Sequence, residues 1–124
     1  MDPDAHLIPK PKDFTMFKIV EKPEFTHPVA VMVPVDGGHR EETFKARFKV
    51  LSSDQEDAFD VTTSEGMKEY LRHIWVGFED VADEAGNGLT WNDETRDRML
   101  SISYVRLALL RTYTAALVKV KAGN

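Results

Sequence analysis

The most suggestive spacing of chemistry-bearing residues lies in the polar stretch 83–94, which matches part of the EF-hand calcium-loop pattern. Asp83 takes the first position, Asn87 the fifth, Gly88 the sixth and Glu94 the twelfth. The third position is Ala85, which supplies no side-chain oxygen to an ion that takes about six to eight oxygen ligands. EF-hand loops usually pack in pairs, and this chain has one. We therefore expect a connecting turn and no metal site.

The other candidate groups form no catalytic pattern. Four carboxylates lie close together in the sequence, at Glu79, Asp80, Asp83 and Glu84. A catalytic pair needs environments that separate two pKa values, and a solvated acidic loop is the simpler interpretation. The four histidines are far apart, and the sequence has no cysteine, no GxSxG or HExxH motif and no phosphate-binding loop. We expect no enzymatic activity and no cofactor.

The composition indicates a globular chain with an acidic balance. Of the 124 residues, 42% are hydrophobic and 30% are charged, and the formal net charge is −5. Binding to nucleic-acid phosphates needs a basic surface, so we expect no nucleic-acid partner. No apolar run approaches the roughly 18 residues of a membrane span, and the N-terminus lacks signal-peptide features. We expect no membrane association.

Alternation of apolar and polar residues predicts a β-hairpin over residues 29–51. The residues on its inner face are Val29, Val31, Val33 and Val35 in the first strand and Phe44, Ala46, Phe48 and Val50 in the second. Residues 36–39 read Asp-Gly-Gly-His, which suits a turn with positive φ. Residues 16–20 are predicted as a further short strand. The proline-containing residues 1–15 are expected to form a flexible leader.

Later in the chain the apolar residues recur at helical spacing. This periodicity predicts helices over residues 64–76, 93–100 and 103–121. Thr62 is the expected N-cap of the first helix, with Glu65 completing a capping box, and Asn92 is the expected N-cap of the second. Strands followed by helices indicate an α+β fold, with the N-terminal antiparallel hairpin or small sheet packed against the C-terminal helices in a single domain over 16–124.

The last predicted helix has a broad apolar stripe. Part of the stripe must close the core, and the remainder is available for self-association or for capture of a client helix. We assign five residues of the stripe as candidate partner-binding positions: Val105, Leu109, Tyr113, Leu117 and Val120.

Several stretches, in this order, resemble the tail assembly chaperones of long-tailed phages and prophages. Residues 28–38 read PVAVMVPVDGG and are followed by TFKARFK at 43–49, which is similar to the family's hairpin. Residues 75–83, the GLTW sequence at 88–91, and residues 104–109 with Tyr113 resemble its second half. The likeness covers roughly residues 15–120. Ser103 stands where the family pattern has proline, which changes how the last helix starts.

The resemblance implies a non-enzymatic assembly factor. Such a chaperone binds the tape-measure protein in the host cytoplasm, keeps it soluble, promotes assembly of the tail-tube protein around it, and is absent from the mature virion. We also expect the chain to form a homo-oligomer. The alternatives are a structural or other morphogenesis protein of the tail and, less favoured, a calcium-responsive binding module.

Overall fold

Two long strands, β1 (Glu24–Val35) and β2 (Gly38–Lys49), form the hairpin that the alternating pattern predicts. The computed structural model describes residues 15–118, so residues 1–14 of the predicted leader and the predicted end of the last helix at 119–121 lie outside it. Gly37 turns the chain with a φ of 79°, a conformation that favours glycine. The strands span residues 24–49, so the prediction of 29–51 placed both ends too late.

A third strand, β3 (Trp75–Glu79), pairs antiparallel with β2 and gives the sheet order β1-β2-β3. The helix predicted over 64–76 is α2 (Ser64–Ile74), and the chain becomes extended at Trp75 without a connecting loop. The helix ends two residues before its predicted end at residue 76, because Trp75, Val76 and Phe78 are residues that favour strands. The sheet therefore has an edge strand that helical spacing did not indicate.

Three further helices complete the fold: α1 (Ser53–Glu56), α3 (Asp93–Leu100) and α4 (Ser103–Val118). The short α1 was not predicted, although Ser52 and Gln55 form a capping box at its start. Asn92 caps α3 as expected, accepting from the Thr95 backbone N–H at 2.8 Å. The N-cap of α2 is Thr63, one residue after the predicted Thr62, because the Thr62 hydroxyl donates to the Asp60 carboxylate instead.

The helices cover one face of the sheet and form one core with it. The buried hydrophobic residues come from the hairpin and its following residue (Val29, Val31, Phe44, Ala46, Phe48, Leu51), from α2 and β3 (Tyr70, Leu71, Ile74, Trp75), and from α3 and α4 (Leu100, Val105, Ala108, Leu109, Tyr113). This arrangement confirms the α+β fold. Val33 and Val50 are only half-buried and Val35 is exposed, so the predicted inner face is covered along part of its length.

Residues 16–20 are not a strand. They lie before β1 in neither a helix nor a strand, and the exposed fractions of Phe17 and Ile19 are 88% and 85%. The prediction of a strand was wrong because apolar, β-favouring residues form a strand only where a neighbouring strand pairs with them. This exposed apolar stretch is called the apolar segment below.

Candidate binding groove

The tip of the hairpin, the loop after β3 and the turn between α3 and α4 enclose a groove of about 730 Å³, here called the tip groove. The apolar part of its lining, called the apolar wall below, draws side chains from all three parts: Val33, Phe44, Val81, Leu89, Met99 and Ile102. Val33, near the end of β1, is half-buried, and Ile102, directly before α4, is 37% exposed. The groove thus offers solvent-accessible hydrophobic surface bounded on several sides by protein.

Charged side chains surround the apolar wall of the tip groove. They are Glu42, Asp80, Asp83 and Glu84 on the acidic side and Arg40 and Arg98 on the basic side. Arg40 Nε donates to the Glu42 carboxylate at 2.8 Å, so these two charges neutralise each other. The remaining charged groups are the carboxylates of Asp80, Asp83 and Glu84 and the guanidinium of Arg98, which together give the rim a net charge of −2. This rim favours a ligand that carries positive charge.

The EF-hand-like loop is a hydrogen-bonded turn at this rim. The Asp83 carboxylate accepts from the Asn87 backbone N–H at 2.8 Å and from Asn87 Nδ2 at 3.3 Å. The bond from the Asn87 backbone is the main reason why the pKa of Asp83 lies below its ordinary value. Glu94 lies in the first turn of α3 and does not line the groove. Between residues 15 and 118, no three histidine or acidic side chains are grouped to hold a metal ion.

Part of the candidate partner-binding stripe of α4 is buried in the core, and part of it is exposed. Val105, Leu109 and Tyr113 are buried beneath the sheet, with Val105 also bordering the tip groove. Leu117 is 46% exposed, and Val120 lies outside the described residues. Of the five candidates, Leu117 is therefore the one that the described structure leaves accessible on the surface, where it lies beside the exposed Val118.

A second groove, of about 570 Å³, runs between the free edge of β1 and α4. Its wall includes Pro28, Ala30 and Met32 from the strand and Ala115 and Ala116 from the helix. Proline has no N–H to donate to an added strand, so Pro28 and Pro34 make this edge a poor template for strand addition. The tip groove is the stronger candidate for a binding site.

Apart from Val105, the residues that line the tip groove were not predicted as partner-binding residues. Val81, Leu89, Met99 and Ile102 are single apolar residues in separate parts of the sequence, and only the fold brings them together. In the sequence, the signal for this site was Ile102, an apolar residue between two serines at the start of the last predicted helix.

Comparison with protein-family models, with curated proteins and with solved structures finds no match for this chain. Across residues 15–118 the longest helix is α4, and no helix has both the length and the apolar character needed to cross a membrane.

Proposed function

We propose that this chain is a tail assembly chaperone of a long-tailed phage or prophage, and that it binds the tape-measure protein through the tip groove. The observation that carries the proposal is the groove itself, an apolar surface open to solvent and bounded by a net acidic rim. The resemblance of the hairpin and the C-terminal helices to this chaperone family supports the choice of client. The chain acts in the host cytoplasm, without catalysis, and does not enter the mature virion.

The groove suits one face of an amphipathic helix. Such a helix places apolar side chains at i, i+3, i+4 and i+7, and these enter a hydrophobic groove while its polar face stays in water. Basic residues beside the apolar face of the client would meet Asp80, Asp83 and Glu84. Tape-measure proteins are long and helical, so one client offers many such faces, and several copies of the chaperone bind along it.

The exposed apolar residues of α4 supply a second contact. Leu107, Leu117 and Val118 are 53%, 46% and 61% exposed. Side chains of this size at a surface favour association with another protein. We assign this face to contacts between chaperone copies along the client, or to the tail-tube protein that replaces them.

Ile102→Asp is the sharpest test of the groove. Ile102 immediately precedes α4, and its carbonyl accepts the first helical hydrogen bond from the Arg106 N–H at 3.1 Å. Aspartate is a preferred residue at such an N-cap, so the variant keeps the helix while it places a carboxylate in the apolar wall. We expect at least about a tenfold loss of tape-measure binding, because the client would have to bury this carboxylate against its apolar face, which is costly.

Val61→Asp is the matched control. Val61 is 38% exposed, close to the value for Ile102, and does not line the groove. The experiment co-expresses each variant with the tape-measure protein encoded in the same genome and measures co-purification at low salt. Equal capture by the wild type and both variants would contradict the assignment of the groove. Stoichiometric amounts of the chain in purified virions would favour a structural tail protein instead.

A further inference from the structure

The apolar segment, residues 16–20, exposes four large side chains and is separated from β1 by residues 21–23. The exposed fractions are 66% for Met16, 88% for Phe17, 85% for Ile19 and 61% for Val20. Lys18 is the one charged residue among the five. A contiguous apolar stretch of this kind is unfavourable in water and marks a surface that another element covers.

We propose that the tip groove of one copy binds the apolar segment of a second copy. The segment and the groove complement each other in two ways. Both are apolar, and the single charge of the segment, Lys18, is opposite in sign to the −2 rim formed by Asp80, Asp83, Glu84 and Arg98.

The segment is also suited in conformation. Phenylalanine, isoleucine and valine favour an extended chain, in which alternate side chains point to opposite sides. Phe17 and Ile19 would then enter the apolar wall together, and Lys18 between them would point away from the wall, towards the charged rim.

The reach of the chain excludes binding of the whole segment to the groove of its own copy. Val20 is four residues before Glu24 and can lie at most about 14 Å from it. Val31, in the groove wall, lies seven residues along β1 from Glu24, or about 23 Å. Met16, eight residues from Glu24, can lie at most about 28 Å from it, so only the N-terminal end of the segment can reach this part of the wall. The whole segment therefore cannot enter its own groove, and the exposure of its four apolar side chains, 61% to 88%, shows that it lies outside that groove, which leaves a second copy as the partner.

The contact would protect the groove until a client displaces the segment. The idea that a client displaces the segment rests on the proposed function. The contact between two copies does not, because self-association can be measured without a client. A wild-type chain that binds the tape-measure protein but does not self-associate would refute this inference alone. Intact self-association without tape-measure binding would refute the proposed function alone.

The experiment is a complementation test by sedimentation equilibrium of the full chain. We expect the wild type to self-associate, and Phe17→Asp and Ile102→Asp each to raise the dissociation constant at least about tenfold. Val61→Asp serves as the control for an added surface charge and should leave the association unchanged. Circular dichroism of all variants verifies that the fold is retained.

A mixture of the two defective variants tests directly whether the segment of one copy binds the groove of another. The Phe17→Asp protein keeps an intact groove and the Ile102→Asp protein keeps an intact segment, so one productive contact forms between them. We expect a heterodimer in the mixture at concentrations where each variant alone is monomeric. A monomeric wild type, variants that associate like the wild type, or a mixture that stays monomeric would each overturn the proposal.

Discussion

The ring centroids of Phe48 and Tyr113 lie 5.4 Å apart, which joins the middle strand of the sheet to the last helix. Phe25 on the edge strand completes the cluster, 5.4 Å from Phe48 and 6.2 Å from Tyr113. Aromatic pairs at such distances contribute about 0.5–1.5 kcal/mol beyond the burial of their surface. The cluster connects three elements that are distant in the sequence, and the hairpin depends on it to hold its position over the helices.

Phe48→Ala should lower the free energy of unfolding by about 3–5 kcal/mol, because Phe48 is fully buried and the truncation leaves a cavity in this cluster. Urea denaturation measures the change. Lys45→Ala, on the exposed face of the same strand, is the control and should stay within about 0.5 kcal/mol of the wild type. An unchanged free energy of unfolding for Phe48→Ala would show that this face does not form the core.

Gly66→Ala should destabilise the protein although Gly66 lies within a helix. Alanine normally stabilises a helix by about 1 kcal/mol relative to glycine. Here a Cβ would overlap the Asp60 carbonyl oxygen and lie 2.8 Å from Thr63 Oγ1, so the N-terminal turn of α2 has to move. Thermal denaturation tests the sign of the effect. Gly88→Ala, where a Cβ meets open space, should be close to neutral, and a stabilised Gly66→Ala variant would contradict the packing at this cap.

Asp97→Asn should destabilise the protein in a pH-dependent manner. Arg96 and Arg72 donate to the Asp97 carboxylate at 3.0 Å and 3.1 Å and lower its pKa, with Arg96 as the larger cause. A carboxyl group with a lowered pKa in the folded state stabilises above its unfolded pKa of about 3.9, and the effect disappears as pH falls through the folded value. At pH 7 we expect a loss of up to about 1 kcal/mol, since the group is half-exposed.

Urea denaturation of the Asp97→Asn variant and the wild type at neutral pH and below about pH 3 measures this difference. Glu65→Gln is the control, because Glu65 is 80% exposed and lies 3.5 Å from Lys68 in a looser pair. The same difference between Asp97→Asn and the wild type at both pH values would contradict the role assigned to the two arginines.

Millimolar calcium should leave the melting temperature unchanged. Ala85 supplies no side-chain ligand, and the Asp83 carboxylate is already engaged by Asn87. Thermal denaturation with calcium and with EDTA provides the measurement, since an ion that binds the folded state raises its stability. A rise of several degrees that EDTA reverses would favour a calcium-responsive module over the chaperone.

The sequence pattern predicted the hairpin, but it did not predict how much of the hairpin's inner face the helices cover. Alternation identifies Val29, Phe44 and Phe48 as inner-face residues because a strand places successive side chains on opposite faces. It cannot indicate how far the helices extend along that face, and Val35 at the tip is exposed for this reason. The uncovered part of the face is what opens the tip groove.

Helical periodicity had a similar limit. It identified α3 within its observed bounds and the apolar stripe of α4, but it continued α2 into Trp75, which the sheet takes as a strand residue. Periodicity also assigned both Leu109 and Leu117 to the candidate partner-binding stripe, although Leu109 is buried in the core and Leu117 is exposed. The groove was beyond sequence reasoning because Val33, Val81 and Met99 meet only through tertiary contacts.

The measurement that tests the chaperone proposal most directly is the soluble fraction of the tape-measure protein, expressed with and without this chain. We predict that the tape-measure protein is largely insoluble alone, and that with the wild-type chain it becomes soluble and co-purifies at low salt. The Ile102→Asp variant should lose this effect and the Val61→Asp variant should keep it. Equal solubility of the tape-measure protein with and without the chain, together with no co-purification, would contradict the proposed function.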